Sequence, residues 1–428
     1  MTCNYYIKCN QCGTKYRLRW QIDGFDARIM IRCPECKSKI TGILRESKGD
    51  DFEIHNAKKT YKETDVDYVQ EISTVFLTHK LTPASEFHDN GLTPFIRSVS
   101  CYKTNLNVIA YLQFIKDYSN EVELIHDLFD SKDKTYLNRK LLLENNAYIS
   151  ICRNNIKPYI LNSNLDYLMA GHQYIMTMLC DSGLRIDVED TIKKINSIRQ
   201  NNLNEVRSFS ELMDINGYYK QLNNKFPKLV ELFNKNYVSF VAPLIVYDYS
   251  FSDLQLEEYG LSSVDYCDLL DLYRKCYEFI GEFSIYIIGL NNIDARGSYN
   301  DFKRGTFDIE NRINHEDKYN RIQSFIKDGE IFSDGYCDRL NKVIRNADAH
   351  FDTEYDVFTQ NITFTNKGKN NSIIENMYLF QFARETINVF ELVVKLWEIA
   401  YQLQKIRMIL DLKEDWNYGN PYKILSMV

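Results

Sequence analysis

Apolar positions recur at intervals of three and four along much of this chain, and that spacing predicts helices. From Asp265 to Leu290 a single stripe collects Leu269, Leu272, Cys276, Phe279, Phe283, Ile287 and Leu290, the mark of a long amphipathic helix. A last helix over about 376–410 spaces Phe380, Ala383, Ile387, Phe390, Val394, Trp397 and Tyr401 alternately by three and four. Such a seam packs against helices of the same chain or of a partner. In the middle of the chain Val66–His79, Asn105–Tyr118, Glu121–Phe129, Asp166–Leu179 and Val188–Arg199 repeat the same period between breakers such as Thr82-Pro83 and Ser182-Gly183. The apolar and aromatic run Val238–Phe251, broken by Pro243, fits strand or helix equally.

Alternation with period two is confined to two places. Tyr16–Trp20 and Ala27–Arg32 place apolar and basic residues in turn and predict two short strands. Val357–Thr365 alternates in the same way and, with a turn at Asn366–Lys369, predicts a hairpin before the last helix. Upstream of it a polar loop, Asn291–Glu316, leads to helices over 317–328 and Ser333–Phe351, the second capped by Ser333 or Asp334. The pattern therefore divides the chain into an N-terminal module (1–45), a charged linker (46–67), a helical middle region (68–255), a C-terminal helical bundle with an inserted β-hairpin (262–412) and a tail (413–428). The expected fold class is mostly α.

Composition supports that class. Only 17 glycines and 7 prolines in 428 residues disfavour a turn-rich β architecture, and 44% hydrophobic residues suffice for a globular core. The start carries no apolar run of signal-peptide type and no window offers 18 uncharged apolar residues, so a cytoplasmic protein without membrane partners is expected. Eleven cysteines in such a chain read as reduced thiols or metal ligands. The histidines at 79, 88, 126 and 172 show no ligand-like spacing.

Charge changes the picture at one end. Residues 1–45 hold nine Lys/Arg against three acids, a formal +6, which leaves −13 for the rest of a chain whose total is −7. Bulk coating of nucleic acid is excluded by that balance, and any nucleic-acid contact must be local. In the same basic segment, Cys9-Asn-Gln-Cys12 and Cys33-Pro-Glu-Cys36 form two C-x2-C knuckles 20 residues apart. Four thiolates at this spacing can take the corners of a tetrahedron around zinc, and because they leave no open position the ion is structural. This stretch resembles a common prokaryotic zinc ribbon over about residues 7–42. Its four thiolates and Zn²⁺ together carry −2, so docking of nucleic acid and of protein both remain open for the ribbon.

The sharpest candidate chemistry lies in Ile344-Arg345-Asn346-Ala347-Asp348-Ala349-His350-Phe351. In a helix, Asn346 and His350 stand one turn apart on one face, about 40° around the axis, with Arg345 beside them. A fixed cation, an amide and an imidazole suit proton transfer next to a phosphate. Arg339 and Lys342 precede Arg345 at three-residue steps and can extend a phosphate track or simply form a solvated face.

Arg345-Asn346-x-x-x-His350 on the penultimate helix, followed by a hairpin and a long final helix, resembles the Arg-x4–6-His motif of the HEPN superfamily, in particular its bacterial abortive-infection members, over about residues 262–412. The resemblance implies a metal-independent endoribonuclease of anti-phage defence that pairs two bundles into one cleft, hence a homodimer acting on RNA and answering to a phage-derived or protein trigger. It implies His350 as general acid or base, Arg345 as the group that stabilises phosphate charge, Asn346 as the residue that orients the imidazole or holds the phosphate, and Glu282 as a supporting carboxylate on the first helix. Family members modified by a partner nucleotidyltransferase often carry tyrosine two residues after the histidine; here that residue is Asp352, which argues against such control. The alternative is a noncatalytic zinc-ribbon adaptor whose bundle dimerises or binds RNA or protein.

Overall fold

A computed structural model describes residues 1–46, 52–61, 65–88, 92–102, 107–117, 163–318, 320–337, 339–350, 352–367 and 372–412. The helix expected at Glu121–Phe129, His126, part of the turn expected at 366–369 and the tail 413–428 lie outside the described residues. The strands are β1 (Thr2–Cys9), β2 (Lys15–Gln21), β3 (Ala27–Arg32), β4 (Lys39–Leu44), β5 (Glu53–His55), β6 (Ala57–Thr60), β7 (Tyr68–Ile72), β8 (Thr78–His79), β9 (Thr82–Pro83), β10 (Tyr259–Gly260), β11 (Asp301–Phe302), β12 (Gly305–Thr306), β13 (Thr353–Asp356), β14 (Asn361–Lys367) and β15 (Ser372–Tyr378). The α-helices are α1 (Pro94–Cys101), α2 (Asn107–Asp117), α3 (Asn164–Asp181), α4 (Val188–Asn201), α5 (Leu203–Ile215), α6 (Tyr218–Lys235), α7 (Val238–Ile245), α8 (Tyr266–Phe283), α9 (Ile285–Arg296), α10 (Ile309–Asn314), α11 (Arg321–Phe325), α12 (Lys342–Ala349) and α13 (Leu379–Leu410). No helix among them is long and apolar enough to cross a membrane.

Two compact units result, one of Met1–Phe114, Lys235–Arg274 and Asn341–Asn388, the other of Ile115–Asn234, Lys275–Leu340 and Val389–Val428. In the first unit a sheet of order β6-β1-β2-β7-β9 is antiparallel except where β2 runs parallel to β7, and β3-β4-β5 form an antiparallel sheet. Period-two alternation turns Ile7, Tyr16, Leu18 and Trp20 from one sheet and Ile29, Ile31 and Ile40 from the other into a common core. Gly42 permits the close pairing of β4 with β5, since a Cβ there would lie 2.2 Å from the Glu53 carbonyl oxygen. In the second unit two rings of α6 lie flat on two of α13, with Phe233–Phe390 at 4.2 Å and Phe226–Trp397 at 4.4 Å between ring centroids.

The mostly-α expectation holds only in part: about half of the chain is helical, the C-terminal region is helical, and the sheet content is substantial. Val66–His79, expected as a helix, supplies β7 and β8. Its period of three misleads because the polar residues between the apolar ones are buried too. Glu71 is wholly buried, with Arg19 Nη1 at 2.5 Å and Arg97 Nη2 at 3.1 Å from its carboxylate. Within the stretch expected as a linker, β5 and β6 pair with β4 and β1.

The undecided run after Tyr237 is helical over α7. The long stripe from Asp265 breaks at Ser284, whose hydroxyl donates to the Gly281 carbonyl, and helix α9 then occupies the start of the expected loop. The helix expected from Ser333 starts at Lys342, because Asn341 caps it through Oδ1, accepting from the Val343 and Ile344 N–H groups at 2.9 and 3.3 Å. After it, β13, β14 and β15 form a three-stranded antiparallel sheet where a hairpin was expected. The Phe380–Tyr401 seam is buried within the chain throughout, so it is not a surface for a partner.

Candidate functional site

The first unit contains both the four cysteines and the Arg345–His350 segment. Cys9 ends β1 and Cys33 follows β3, and each begins a knuckle of the same construction. The N–H of Cys9 donates to the Thr14 carbonyl and that of Gly13 to the Cys9 carbonyl, at 2.9 and 3.1 Å. At the second knuckle Cys33 donates to Ser38 and Lys37 to Cys33, both at 2.9 Å. Gly13 and Lys37 close these turns with left-handed backbones, φ +84° and +62°. The result brings the four Sγ atoms within 4.8 Å of one another, with Cys12–Cys33 at 3.4 Å and Cys9–Cys36 at 3.6 Å.

A tetrahedral zinc tetrathiolate with Zn–S near 2.3 Å needs sulfurs about 3.8 Å apart, so the cluster fits the ion with only slight adjustment. Two hydroxyls adjoin it, Thr14 Oγ1 at 2.9 Å from Cys12 Sγ and Ser38 Oγ at 3.1 Å from Cys36 Sγ. Both can donate to thiolates. Burial pushes the Cys9 thiol up to about 11, the backbone N–H groups of Cys12 and Gln11 acting the other way. At Cys33 burial is outweighed by the backbone N–H groups of Cys36 and Glu35 and by neighbouring side chains, which bring the thiol down to about 6. Hydrogen bonds from Ser38 lower Cys36 as well. Two thiols lowered beside one that burial raises make a set that a divalent soft cation can deprotonate together.

Helix α12 lies beside β14 and β15, with Ile344 and Ala347 fully buried beneath it. Its start is fixed twice by Asn341, which also donates through Nδ2 to both oxygens of Glu375 at 2.8 and 2.9 Å. Arg345 and Asn346 are half-buried, and Arg345 Nη1 donates to Asn346 Oδ1 at 3.0 Å. His350 is exposed and stands at the C-cap, its N–H donating to the Asn346 carbonyl at 3.2 Å. The i,i+4 relation of Asn346 and His350 is therefore present in the backbone although the helix ends at Ala349. Asp348 is held bidentately by Arg274, at 2.8 and 3.1 Å, and Asp352 is paired with Lys367.

The other sequence candidates have their own surroundings. Lys342 is the first residue of α12 and half-buried. Arg339 belongs to the second unit, where its Nη1 pairs at 3.0 Å with the fully buried Glu391. Glu282, also in the second unit, pairs with Lys225 at 2.6 Å and helps to line a polar cavity of about 360 Å³ with Tyr218, Glu310 and Arg321.

Sequence reasoning missed Thr14 and Ser38, each two residues after the last cysteine of its knuckle, a repetition that was visible in the sequence. It also missed Asn341, an Asx residue directly before an apolar-periodic run, and the Arg274–Asp348 pair, for which no local signal exists. Protein-family models, curated proteins and solved structures contain no match to this chain.

Proposed function

We propose that this protein is an RNA-cleaving effector of anti-phage defence that works as a homodimer through Arg345, Asn346 and His350 without a catalytic metal, and that its four cysteines hold a structural zinc ion. The observation that carries the reading is the presentation of these three residues at the end of α12. The Arg345 guanidinium is oriented by Asn346 at 3.0 Å, and one turn on His350 stands exposed at the helix terminus. His350 takes the proton from a ribose 2′-hydroxyl or supplies one to the leaving 5′-oxygen, and Arg345 stabilises the charge that grows on the phosphate. The capping by Asn341 and the Arg274–Asp348 pair hold the helix from which both act. Two copies complete the cleft.

Zinc in the ribbon would stabilise the N-terminal module, with Thr14 and Ser38 donating to its thiolates. Incubation of purified, zinc-loaded protein with end-labelled RNA without added divalent metal tests the chemistry of cleavage. Products ending in 2′,3′-cyclic phosphate or 3′-phosphate are expected. Products with 3′-hydroxyl ends, or intact RNA, would remove the proposed role of His350 and leave a noncatalytic adaptor.

A further inference from the structure

One cavity of the first unit is built like a ligand site. It holds about 180 Å³ between the β3–β4 hairpin, the approach to α8 and the segment that follows β13, and every residue that lines it belongs to that unit. Its walls are mostly apolar, formed by Met30, Leu81 and Val264 and by the rings of Tyr266, Tyr355 and Phe358. Tyr266 and Tyr355 are stacked with centroids 5.0 Å apart. A cavity of about 150 Å³ is enough to admit benzene, so one ring system fits here.

The two ends of the cavity differ in chemistry. At the enclosed end stand Gln70, Ser262 and Gln360, each at least nine-tenths buried. The Ser262 hydroxyl donates to the Ser73 carbonyl at 3.1 Å and accepts from its N–H at 3.0 Å. The Gln360 amide is closed on the Leu261 backbone in both directions, at 2.7 and 2.9 Å. Gln70 is different. Its Nε2 donates to the Glu71 and His79 carbonyls at 2.7 and 3.4 Å, which fixes the orientation of the amide, and its Oε1 accepts no hydrogen bond among the described residues. That oxygen is the acceptor which the enclosed end offers to a ligand N–H.

At the open end Arg32 and Lys39 are directly paired in the β3–β4 register and both are exposed. Residues so paired have Cβ atoms about 4.5–5.5 Å apart, where like charges destabilise the pair. Asp265, the one carboxylate of the lining, reaches Lys39 only at 3.9 Å. Arg32 has no ion pair or side-chain hydrogen bond among the described residues. Lys37 Nζ adds a third cation, 5.2 Å from the centre of the Phe358 ring.

We propose that this cavity binds a nucleotide. The base enters among the aromatic walls and presents an N–H to Gln70 Oε1, and the phosphate stays at the mouth between Arg32 and Lys39. Stacking on aromatic side chains together with polar contacts at the base edge is how unpaired bases are held. An arginine fork can take two phosphate oxygens while a lysine adds a point charge. Each end argues against a simpler occupant, since an apolar molecule leaves the opposed cations unmatched and a bare phosphate leaves the aromatic walls empty. The base and phosphate can belong to a free nucleoside monophosphate or to an unpaired nucleotide of an RNA strand. The site stands apart from the ribonuclease reading.

Isothermal titration of full-length, zinc-loaded protein with AMP, GMP, CMP and UMP tests the proposal. At least one binds saturably at one per chain, and its nucleoside and inorganic phosphate each bind about tenfold more weakly or less. Arg32→Gln weakens the nucleotide by about tenfold and leaves the nucleoside unchanged. Gln70→Leu weakens both by the same factor, about three- to tenfold. Because Gln70 is buried, Met30→Trp at a half-buried position supplies a second variant, which fills the cavity and abolishes binding. Lys220→Gln, in the second unit, changes nothing. No nucleotide binding tighter than about 1 mM, binding that survives Met30→Trp, or equal losses of nucleotide and nucleoside in Arg32→Gln overturns the proposal. Anisotropy of a fluorescein-labelled 12-nucleotide RNA, in protein carrying His350→Ala so that the probe stays intact, separates the two sources. RNA affinity that falls with Arg32→Gln assigns the site to the strand, and unchanged RNA affinity assigns it to the free nucleotide. Nucleotide binding by wild-type protein that leaves RNA whole keeps this site and removes the ribonuclease reading, whereas cleavage without nucleotide binding overturns the site and leaves that reading in place.

Discussion

Gly13 and Lys37 occupy the same left-handed conformation, at φ +84° and +62°, one residue after the last cysteine of two successive knuckles. The two turns share one geometry but only the first uses the residue suited to it. Lys37 accepts a backbone that costs most side chains about 1–2 kcal/mol. Lys37→Gly should therefore change stability by less than about 1 kcal/mol or raise it, whereas Gly13→Val should lower it by more than about 1 kcal/mol. Urea denaturation of the two variants checks the asymmetry.

The cysteine cluster predicts one zinc per chain. Metal analysis of purified protein should return that ratio, and a strong chelator should release the ion and lower the melting temperature. Cys33→Ser should bind zinc far more weakly, because a serine hydroxyl does not ionise near neutral pH to replace a thiolate. A melting temperature indifferent to chelator would show that the knuckles stand without metal.

Glu71 is the only carboxylate bonded to both Arg19 and Arg97 among the described residues, and it is wholly buried. Its replacement by alanine removes the buried carboxylate that both guanidinium groups share, a loss of about 3–5 kcal/mol. Chemical denaturation of Glu71→Ala reads this directly. A change below about 1 kcal/mol would mean that water or another anion serves the arginines equally well.

Asp23 gives the protein a pH dependence of defined sign. Burial pushes its carboxyl up to about 6, against hydrogen bonds from the Ser73 hydroxyl and the Thr74 and Val75 N–H groups. A carboxyl raised in the folded state holds its proton there after the unfolded chain has released it. Its contribution to stability is thus full below about pH 4 and is lost as pH rises towards about 6. Asp23→Asn should remove that fall, so the stability of the variant relative to wild type should improve by about 2–3 kcal/mol between pH 4 and pH 7. Urea midpoints of both proteins across that range measure it.

What could be read in the sequence depended on how local its cause was. The knuckles, the strands at Tyr16–Trp20 and Ala27–Arg32 and the last helix follow from residues close together in the chain, and the structure places them there. Strands β7 and β8 could not be read, because Glu71 looks like a solvated helix residue until Arg19 and Arg97 arrive from distant positions. The start of α12 was misplaced by eight or nine residues because Ser333 and Asp334 also have capping chemistry, and only packing against β14 and β15 selects Asn341. The motif residues Arg345, Asn346 and His350 were legible as a pattern. What holds them, the Asn341–Glu375 and Arg274–Asp348 contacts, joins segments that no local rule connects.

The central claim is that His350 moves a proton during RNA cleavage, and the rate of cleavage by His350→Ala tests it most directly. With zinc content and melting temperature equal to wild type, single-turnover cleavage of a defined RNA without added divalent metal should fall by about 10²–10⁴-fold. Arg345→Ala should fall by about 10²–10³-fold through lost stabilisation of the phosphate. Cleavage by His350→Ala at the wild-type rate would contradict the account and place any nuclease activity elsewhere in the chain.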